Sequence, residues 1–296
     1  MVSAGPLAPQ TDPWERIALV HRDRWAPNPV SDEALKRARL AVATAGRLRP
    51  KAVLFWGLPN AGKTALRTKI TREIEQNRFY PDHDRPLAIV SVEAPVEADE
   101  ARFYEAVLQA GHRYVPTGNV RTLHKAVTLF LEDVRPDVLI LDEAGNLNAY
   151  TGTRGNICLN AIRRLCNVHR VALLGFGTSA AMTALQADEQ LENRFETFHL
   201  RPLSPSEFTE FVDLQAGAMP LQEKTVWTTP MLERAYELTL GYVGRAAYLI
   251  QEAAAEAVFI GSERITAEIL DGEALATSLA ALQQAGARAG RRTRSR

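Results

Sequence analysis

The sequence predicts an α/β fold on a parallel sheet, followed by a small, all-helical subdomain. Three observations carry this. Short apolar runs alternate with helical patterns as far as Leu200, the signature of a doubly wound sheet. A glycine-bearing segment, Gly57-Leu58-Pro59-Asn60-Ala61-Gly62-Lys63-Thr64, follows the first apolar run and opens a helical pattern. Beyond Leu200 the strand signals stop and only helical patterns remain.

Residues 1–13 carry Pro6, Pro9 and Pro13 and read as an arm. Trp14–Trp25 is a short amphipathic segment with Trp14, Ile17, Val20 and His21 at helical spacing, broken by Pro27 and Pro29. Ser31, Asp32 and Glu33 offer capping and acidic residues for a helix over Ala34–Leu48, which Pro50 ends. Ala52–Trp56 is a continuous apolar run, as in strands buried on both faces of a parallel sheet. A helix follows from Lys63 to about Asn77, then a strand at Leu87–Val92 and two helices, near Asp99–Gly111 and Val120–Val134. Val138–Leu141 is the third strand, and a helix spans about Asn156–Asn167. Val171–Gly175 is the fourth strand and Phe195–Leu200 the fifth. Ser204-Pro205-Ser206-Glu207 has the cap, proline and acid of a helix start. Helical patterns then run at Glu207–Leu214, Pro230–Thr239 and Gly244–Phe259, with another start at Ile265–Leu270.

The bulk properties narrow the function classes. Lys and Arg number 35, as do Asp and Glu, so formal net charge is zero and any nucleic-acid contact must use a local patch. Cys158 and Cys166 form no CxxC pair and read as buried free thiols in a reducing compartment. No apolar run approaches the roughly 18 residues that span a bilayer, and no signal peptide precedes the first helix. The expectation is a cytoplasmic protein without membrane contact.

Gly57–Thr64 matches GxxxxGK[ST] in full. Its glycines let successive N–H groups face phosphate oxygens, and the helix that follows aims its N-terminus at the same anion. Gly57, Pro59, Asn60, Ala61, Gly62, Lys63, Thr64 and Ala65 are therefore the expected ATP-binding residues, with Lys63 reaching the β/γ-phosphates and Thr64 ligating Mg²⁺. Leu139-Ile140-Leu141-Asp142-Glu143 has the form of a Walker B strand. Asp142 at the strand tip can hold Mg²⁺, and Glu143 can orient or deprotonate the attacking water. The two acids separate the chain from nucleotide kinases, which need not place a water-activating glutamate here.

Three further residues have two readings each. Thr178, at the tip of the fourth strand, either contacts the water or γ-phosphate, or caps the helix that Ala180-Ala181-Met182 begins; the two are not exclusive. Arg194, before the last strand, either reaches a neighbouring subunit's γ-phosphate or pairs with Glu192 or Glu196. Arg245 either reports nucleotide state from the helical subdomain or is a helix-face arginine. Together these features predict an AAA+ P-loop NTPase with a five-stranded parallel sheet and a small C-terminal helical lid. Its parts are an N-terminal arm and short helix (1–35), the nucleotide-binding α/β domain (36–202), the lid (203–275) and a basic tail (276–296). Five arginines and no acids between Arg288 and Arg296 predict disorder there.

The chain resembles the TniB family, transposon-encoded AAA+ ATPases related to the TnsC regulators. The likeness lies in Glu15-Arg16-Ile17 with Arg22-Asp23-Arg24-Trp25, in Leu159-Asn160 with Arg163–Asn167, and in Gly177-Thr178 with Ala180-Ala181. Asp188–Glu196 is its most specific piece, and Met219-Pro220-Leu221 and Gly261–Thr266 extend it, so that it covers about residues 14–272. It implies ATP-dependent oligomerisation on double-stranded DNA as rings or helical filaments, a DDE transposase as partner, and often a TniQ-type target-selection protein. It also implies that Arg194 acts in trans. Two positions depart from the family: a His-Asn pair common after the Walker B acids is here Gly145-Asn146, and many members have a glutamate where Arg245 stands. The role of Arg245 therefore rests on general AAA+ logic.

Candidate DNA contacts are Arg113, Arg121, Thr122 and Lys125, in the region that faces DNA in TnsC-like assemblies, and Arg154 in the loop Tyr150–Gly155. Such residues grip phosphates with little sequence discrimination; each can equally lie on a solvated helix face. The leading functional expectation is an ATP-dependent regulator of transposition. A replication initiator or helicase loader shares nearly all of these motifs, and a nucleotide-gated scaffold with negligible hydrolysis is the third reading.

Overall fold

The computed structural model describes residues 12–76, 79, 86–96, 99–148, 153–186, 195–273 and 275–279. For 153–157 and 184 only the backbone is considered. The described chain divides into two compact units: one takes in the residues up to Val30, Pro59–Gly62 and those from Arg201 on, the other Ser31–Leu58 and Lys63–Leu200.

The second unit is built on β1 (Ala52–Trp56), β2 (Ile89–Glu93), β3 (Val138–Asp142), β4 (Ala172–Gly177) and β5 (Phe195–His199). They form one five-stranded sheet in the order β2-β3-β4-β1-β5, every pairing parallel. The apolar runs become strands because both faces of the sheet are covered. Val53, Leu54 and Phe55 are buried, as are Val138–Leu141 and Ala172–Phe176, and each large side chain so buried contributes about 1.5–3 kcal/mol. Helices α3 (Lys63–Glu75), α4 (Glu100–Ala110), α5 (Val120–Val134), α6 (Thr153–His169) and α7 (Ser179–Gln186) alternate with the strands. Side-chain caps start two of them: Asp99 accepts from Arg102 N, and Asn119 from Thr122 N. Phe103, Tyr104, Val107, Leu123 and Val127 join Val90, Leu139 and Leu141 in the core.

The expected strands and helices are present, with shifted ends. The largest shifts are at α2 (Pro29–Val42), expected over Ala34–Leu48. Pro29 follows the end of α1, as expected of a breaker, and also opens α2, because a proline at the first helical position forfeits an N–H that has no partner in any case. The same helix stops at Val42, well short of Leu48. There Thr44 turns the chain: its hydroxyl donates to Ala41 O (2.6 Å) and accepts from Lys51 N (2.7 Å), while Gly46 takes a φ of 79°.

The first unit is helical. It contains α1 (Pro13–Val20), α8 (Pro205–Gly217), α9 (Thr229–Thr239), α10 (Val243–Phe259) and α11 (Ala267–Leu270). Ser204 and Glu207 form a reciprocal capping box on α8. α1 packs along α10, with Trp14 edge-on to Phe259 at 6.2 Å. Buried Arg16 donates to both carboxylate oxygens of Glu263 and to Pro220 O (2.8 Å). Among the described residues no helix is long and apolar enough to cross a membrane.

Candidate functional site

In a parallel sheet every strand points its carboxyl end the same way, and loops that follow the strands collect at that edge. Gly57 follows β1, Asp142 ends β3, and Thr178 follows β4. The register aligns them: Trp56 pairs with Gly177, and Glu93 with Asp142. Gly57 N donates to Gly177 O at 3.2 Å, and Ala94 N to Asp142 O at 2.9 Å.

The loop Gly57–Thr64 curls through left-handed φ values at Asn60 (63°) and Gly62 (96°). Such a turn points consecutive N–H groups to one side. Lys63 and Thr64 open α3, and Thr64 and Ala65 are exposed on its first turn. The Lys63 ammonium donates to Gly57 O (3.0 Å) and Leu58 O (2.8 Å). Desolvation holds its pKa below the ordinary lysine value, while the charges of Glu143 and Asp142 act in the opposite direction. Lys63 is thus a partly desolvated cation facing both Walker B acids.

Asp142 is engaged through both oxygens. Its Oδ1 accepts from Glu143 N at 2.9 Å, and Arg67 Nε lies 2.9 Å from its Oδ2. This second contact is an ion pair without hydrogen-bond alignment, since the buried Nε has no hydrogen-bond partner. Glu143 is exposed and adopts a left-handed φ of 49°, a conformation that costs a residue with a Cβ about 1–2 kcal/mol. Strain of this kind persists where the surroundings impose it. Here the Glu143 carbonyl accepts from Asn146 N (2.8 Å), and Asn146 Nδ2 donates to Ala94 O (3.0 Å), tying the turn to the end of β2.

Thr178 sits against that turn. A Cβ placed on Gly145 would lie 3.0 Å from Thr178 Oγ1, so a histidine at 145 needs Thr178 to move. Gly145 is thus the residue against which Thr178 packs.

Arg67 was not singled out from sequence, and Asn146 was noted only as a family position, without its role of bracing the turn. The signal for Arg67 was its place four residues after Lys63, which puts both on one helix face.

In the helical unit, Arg245 lies in the first turn of α10, 9% exposed, its guanidinium 5.4 Å from the Tyr242 ring centroid and its Nε without a partner. Loop residues 59–62 group with this unit. A Cβ on Gly244 would meet Asn60 O at 2.4 Å, so only glycine allows this approach of α10 to the loop backbone.

The DNA candidates separate. Arg121 and Lys125 are exposed one turn apart on α5. Thr122 Oγ1 bonds to the cap residue Asn119 (3.3 Å). Arg113 pairs with Asp133 and lies over the Phe130 ring, a solvent-exposed pair that a phosphate would have to displace. The side chain of Arg154 lies outside the described residues, as does all of Asp188–Arg194, including Arg194. The arginine-rich tail lies outside them too. Cys158 and Cys166 are buried free thiols, both pushed up to about 12 by burial.

The family described as Bacterial TniB protein matches residues 16–205, more than half the chain. The chain belongs to the TniB family. No curated protein matches it. Among solved structures it is similar to the Aeropyrum pernix ORC1 protein in complex with DNA, with a TM-score of 0.65 and 21% identity, covering 86% of this chain and 67% of that one. The Aeropyrum pernix ORC2 protein in ADPNP–ADP complexes gives 0.60 and 17%, covering 84% and 69%. The Pyrobaculum aerophilum CDC6P structure gives 0.60 and 15%, covering 85% and 68%. These likenesses show the fold, which is the α/β fold of AAA+ P-loop proteins.

The residues present fit a magnesium nucleotide. Among the described residues no three His, Cys, Asp or Glu side chains converge on a metal position. Nucleotide-bound Mg²⁺ needs no such cage, because one or two protein ligands and the phosphates hold it. Asp142, already facing a cation in Arg67, and the exposed Thr64 are the residues that would hold it.

Proposed function

We propose that this TniB-family protein is an ATP-dependent, DNA-binding regulator of DNA transposition, which oligomerises on target DNA and recruits or activates a DDE transposase. The observation that carries the reading is the family match over residues 16–205, a stretch holding the phosphate loop, both Walker B acids and Thr178.

ATP with Mg²⁺ supplies the phosphoanhydride whose cleavage resets the assembly. In this reading Gly57 and Pro59–Ala65 bind the phosphates, with Lys63 exchanging its loop carbonyls for phosphate oxygens. Thr64 and Asp142 hold the metal. Glu143 orients the water, and Thr178 contacts the water or γ-phosphate. Arg245 reads nucleotide state, and Arg194 acts on the site of a neighbouring subunit. Arg121, Thr122 and Lys125, with Arg113 and Arg154, contact the DNA backbone; a TniQ-type protein is a further partner. The likeness to an ORC1 protein in complex with DNA supports a DNA-bound AAA+ assembly.

It also favours a second reading, a replication initiator or helicase loader. Electron microscopy of the full chain with duplex DNA and a non-hydrolysable ATP analogue tests the assembly; the expected result is nucleotide-dependent rings or filaments. Co-purification with a DDE transposase supports transposition, whereas retention of a replicative helicase instead overturns it. Phosphate release that is negligible with and without DNA points to the nucleotide-gated scaffold.

A further inference from the structure

We infer that Arg67 is an exchange partner for the divalent cation on Asp142, which makes metal entry conditional on bound nucleotide. The inference rests on the ATP reading above and assigns a regulatory residue to that site. It starts from α3, where Lys63 and Arg67 stand one turn apart on the same face. Each is occupied by an acceptor of the site itself: Lys63 by two loop carbonyls, Arg67 by Asp142.

The arginine–carboxylate contacts at Asp142 and Glu207 differ in kind; Arg234 Nε, 3.1 Å from Asp271 and likewise without a hydrogen bond, shares the geometry of Arg67 but faces no acid of the site. Arg201 meets Glu207 with two aligned hydrogen bonds of 2.8 Å. Arg67 Nε, at 2.9 Å from Asp142 Oδ2, is out of line and has no hydrogen-bond partner although buried. An unsatisfied buried donor in a native fold calls for a reason. A pair held by charge and not by hydrogen-bond geometry is readily exchanged.

Its position is the one a metal needs. Asp142 Oδ1 is held by Glu143 N–H, so Oδ2 is the freer oxygen, and Arg67 sits on it. A monovalent guanidinium and a divalent metal on one carboxylate repel each other. Glu93, in register with Asp142, and exposed Glu143 add negative charge that Arg67 and Lys63 offset. Metal alone therefore meets a neutralised carboxylate. A bound triphosphate changes the balance: it attracts the metal and offers the displaced Arg67 an anion.

Titration of the full chain with a fluorescent ATP analogue, first in chelator and then with rising Mg²⁺, tests this. Arg67→Gln is expected to lower the Mg²⁺ midpoint by roughly threefold or more, since the competing charge is gone, while Arg67→Lys stays near wild type. A lower thermal midpoint of the apo Arg67→Gln protein with an unchanged Mg²⁺ midpoint marks a purely structural pair and overturns the inference. The wild-type chain supplies an independent check. Nucleotide in chelator should stabilise it against heat, and Mg²⁺ alone at roughly 10 mM should not; stabilisation by Mg²⁺ alone overturns the inference. Absence of analogue binding by wild type under every condition removes the ATP reading itself, a separate failure.

Discussion

At the carboxyl edge of the sheet, Glu143 holds a left-handed φ, Lys63 is a partly desolvated cation, and Arg67 Nε is buried without a hydrogen bond. In the helical unit, Arg201 and Glu207 form a two-bonded pair, Ser204 closes a capping box, and Arg16 satisfies Glu263 and the Pro220 carbonyl together. Both regions use charged side chains on helix starts and turns; these pairs of the helical unit are hydrogen-bonded, with Arg245 Nε an exception in that unit, whereas Arg67 Nε at the sheet edge faces its carboxylate without a hydrogen bond. Buried polar groups that already have partners stabilise a fold; groups held short of that are poised for a ligand. The contrast predicts that changes at the sheet edge move binding and turnover and leave stability nearly intact, whereas changes in the helical unit do the reverse.

Lys63→Ala gives the largest expected effect. It removes a charged donor to phosphate, and nucleotide affinity should fall by roughly a hundredfold, about 2.7 kcal/mol. Because Lys63 is desolvated in the folded chain, the apo protein should lose little or no thermal stability. Calorimetric titration beside a melting curve reads both, and a large drop in apo melting temperature breaks the contrast.

Glu143 allows a finer separation. Glu143→Gln should slow phosphate release by roughly 10²–10⁴ while nucleotide still binds, as expected when a general base is lost. A DNA-bound oligomer should then persist. Glu143→Gly should lose the same turnover and yet raise apo stability by up to about 1 kcal/mol, because glycine relaxes the left-handed φ. Equal or lower stability of the glycine variant means the turn is not strained.

Arg16→Ala probes the other side. It leaves Glu263, with a side chain 19% exposed, without its main partner. Removing one partner of such a pair costs roughly 3 kcal/mol, so the melting temperature should fall clearly. Nucleotide affinity per folded molecule should not change; a selective loss of affinity would mean that α1 serves the site.

How far each region was readable from sequence follows the same division. The phosphate loop and the Asp142-Glu143 pair were legible because their chemistry is contiguous: a curled loop and a helix start need neighbouring residues only. The central strands β1, β3 and β4 were legible from apolar runs that a doubly covered sheet explains. Arg67 was not, since its partner lies on β3 and the pairing depends on strand order. Arg16 and Glu263 are 247 residues apart, and no local pattern joins them. The pairing of Arg113, a candidate DNA contact, with Asp133 was not legible, because it depends on the packing of α4 on α5. The start of α2 at Pro29, ahead of the expected Ala34, was not legible because a residue that stops one helix can also begin another.

The smallest expected effect concerns pH. The Arg201 guanidinium, helped by the Ser204 backbone N–H, holds the Glu207 carboxyl at about 2, below its ordinary value of 4.5. A carboxylate whose folded pKa is depressed adds stability that is complete above the unfolded pKa and disappears as pH falls through the folded one. The contribution of Glu207 should therefore be constant above about pH 5 and shrink between about 4.5 and 2. Its side chain is 20% exposed beside a 47% exposed Arg201, so solvent screens the pair. A cost of about 1 kcal/mol for Glu207→Gln is reasonable for a capping residue with a screened partner. Melting curves of wild type and Glu207→Gln across this range should converge in acid. If they stay parallel, the capping box works through shape and not through charge, and the helical unit's satisfied carboxylate no longer differs in kind from the acids at the sheet edge.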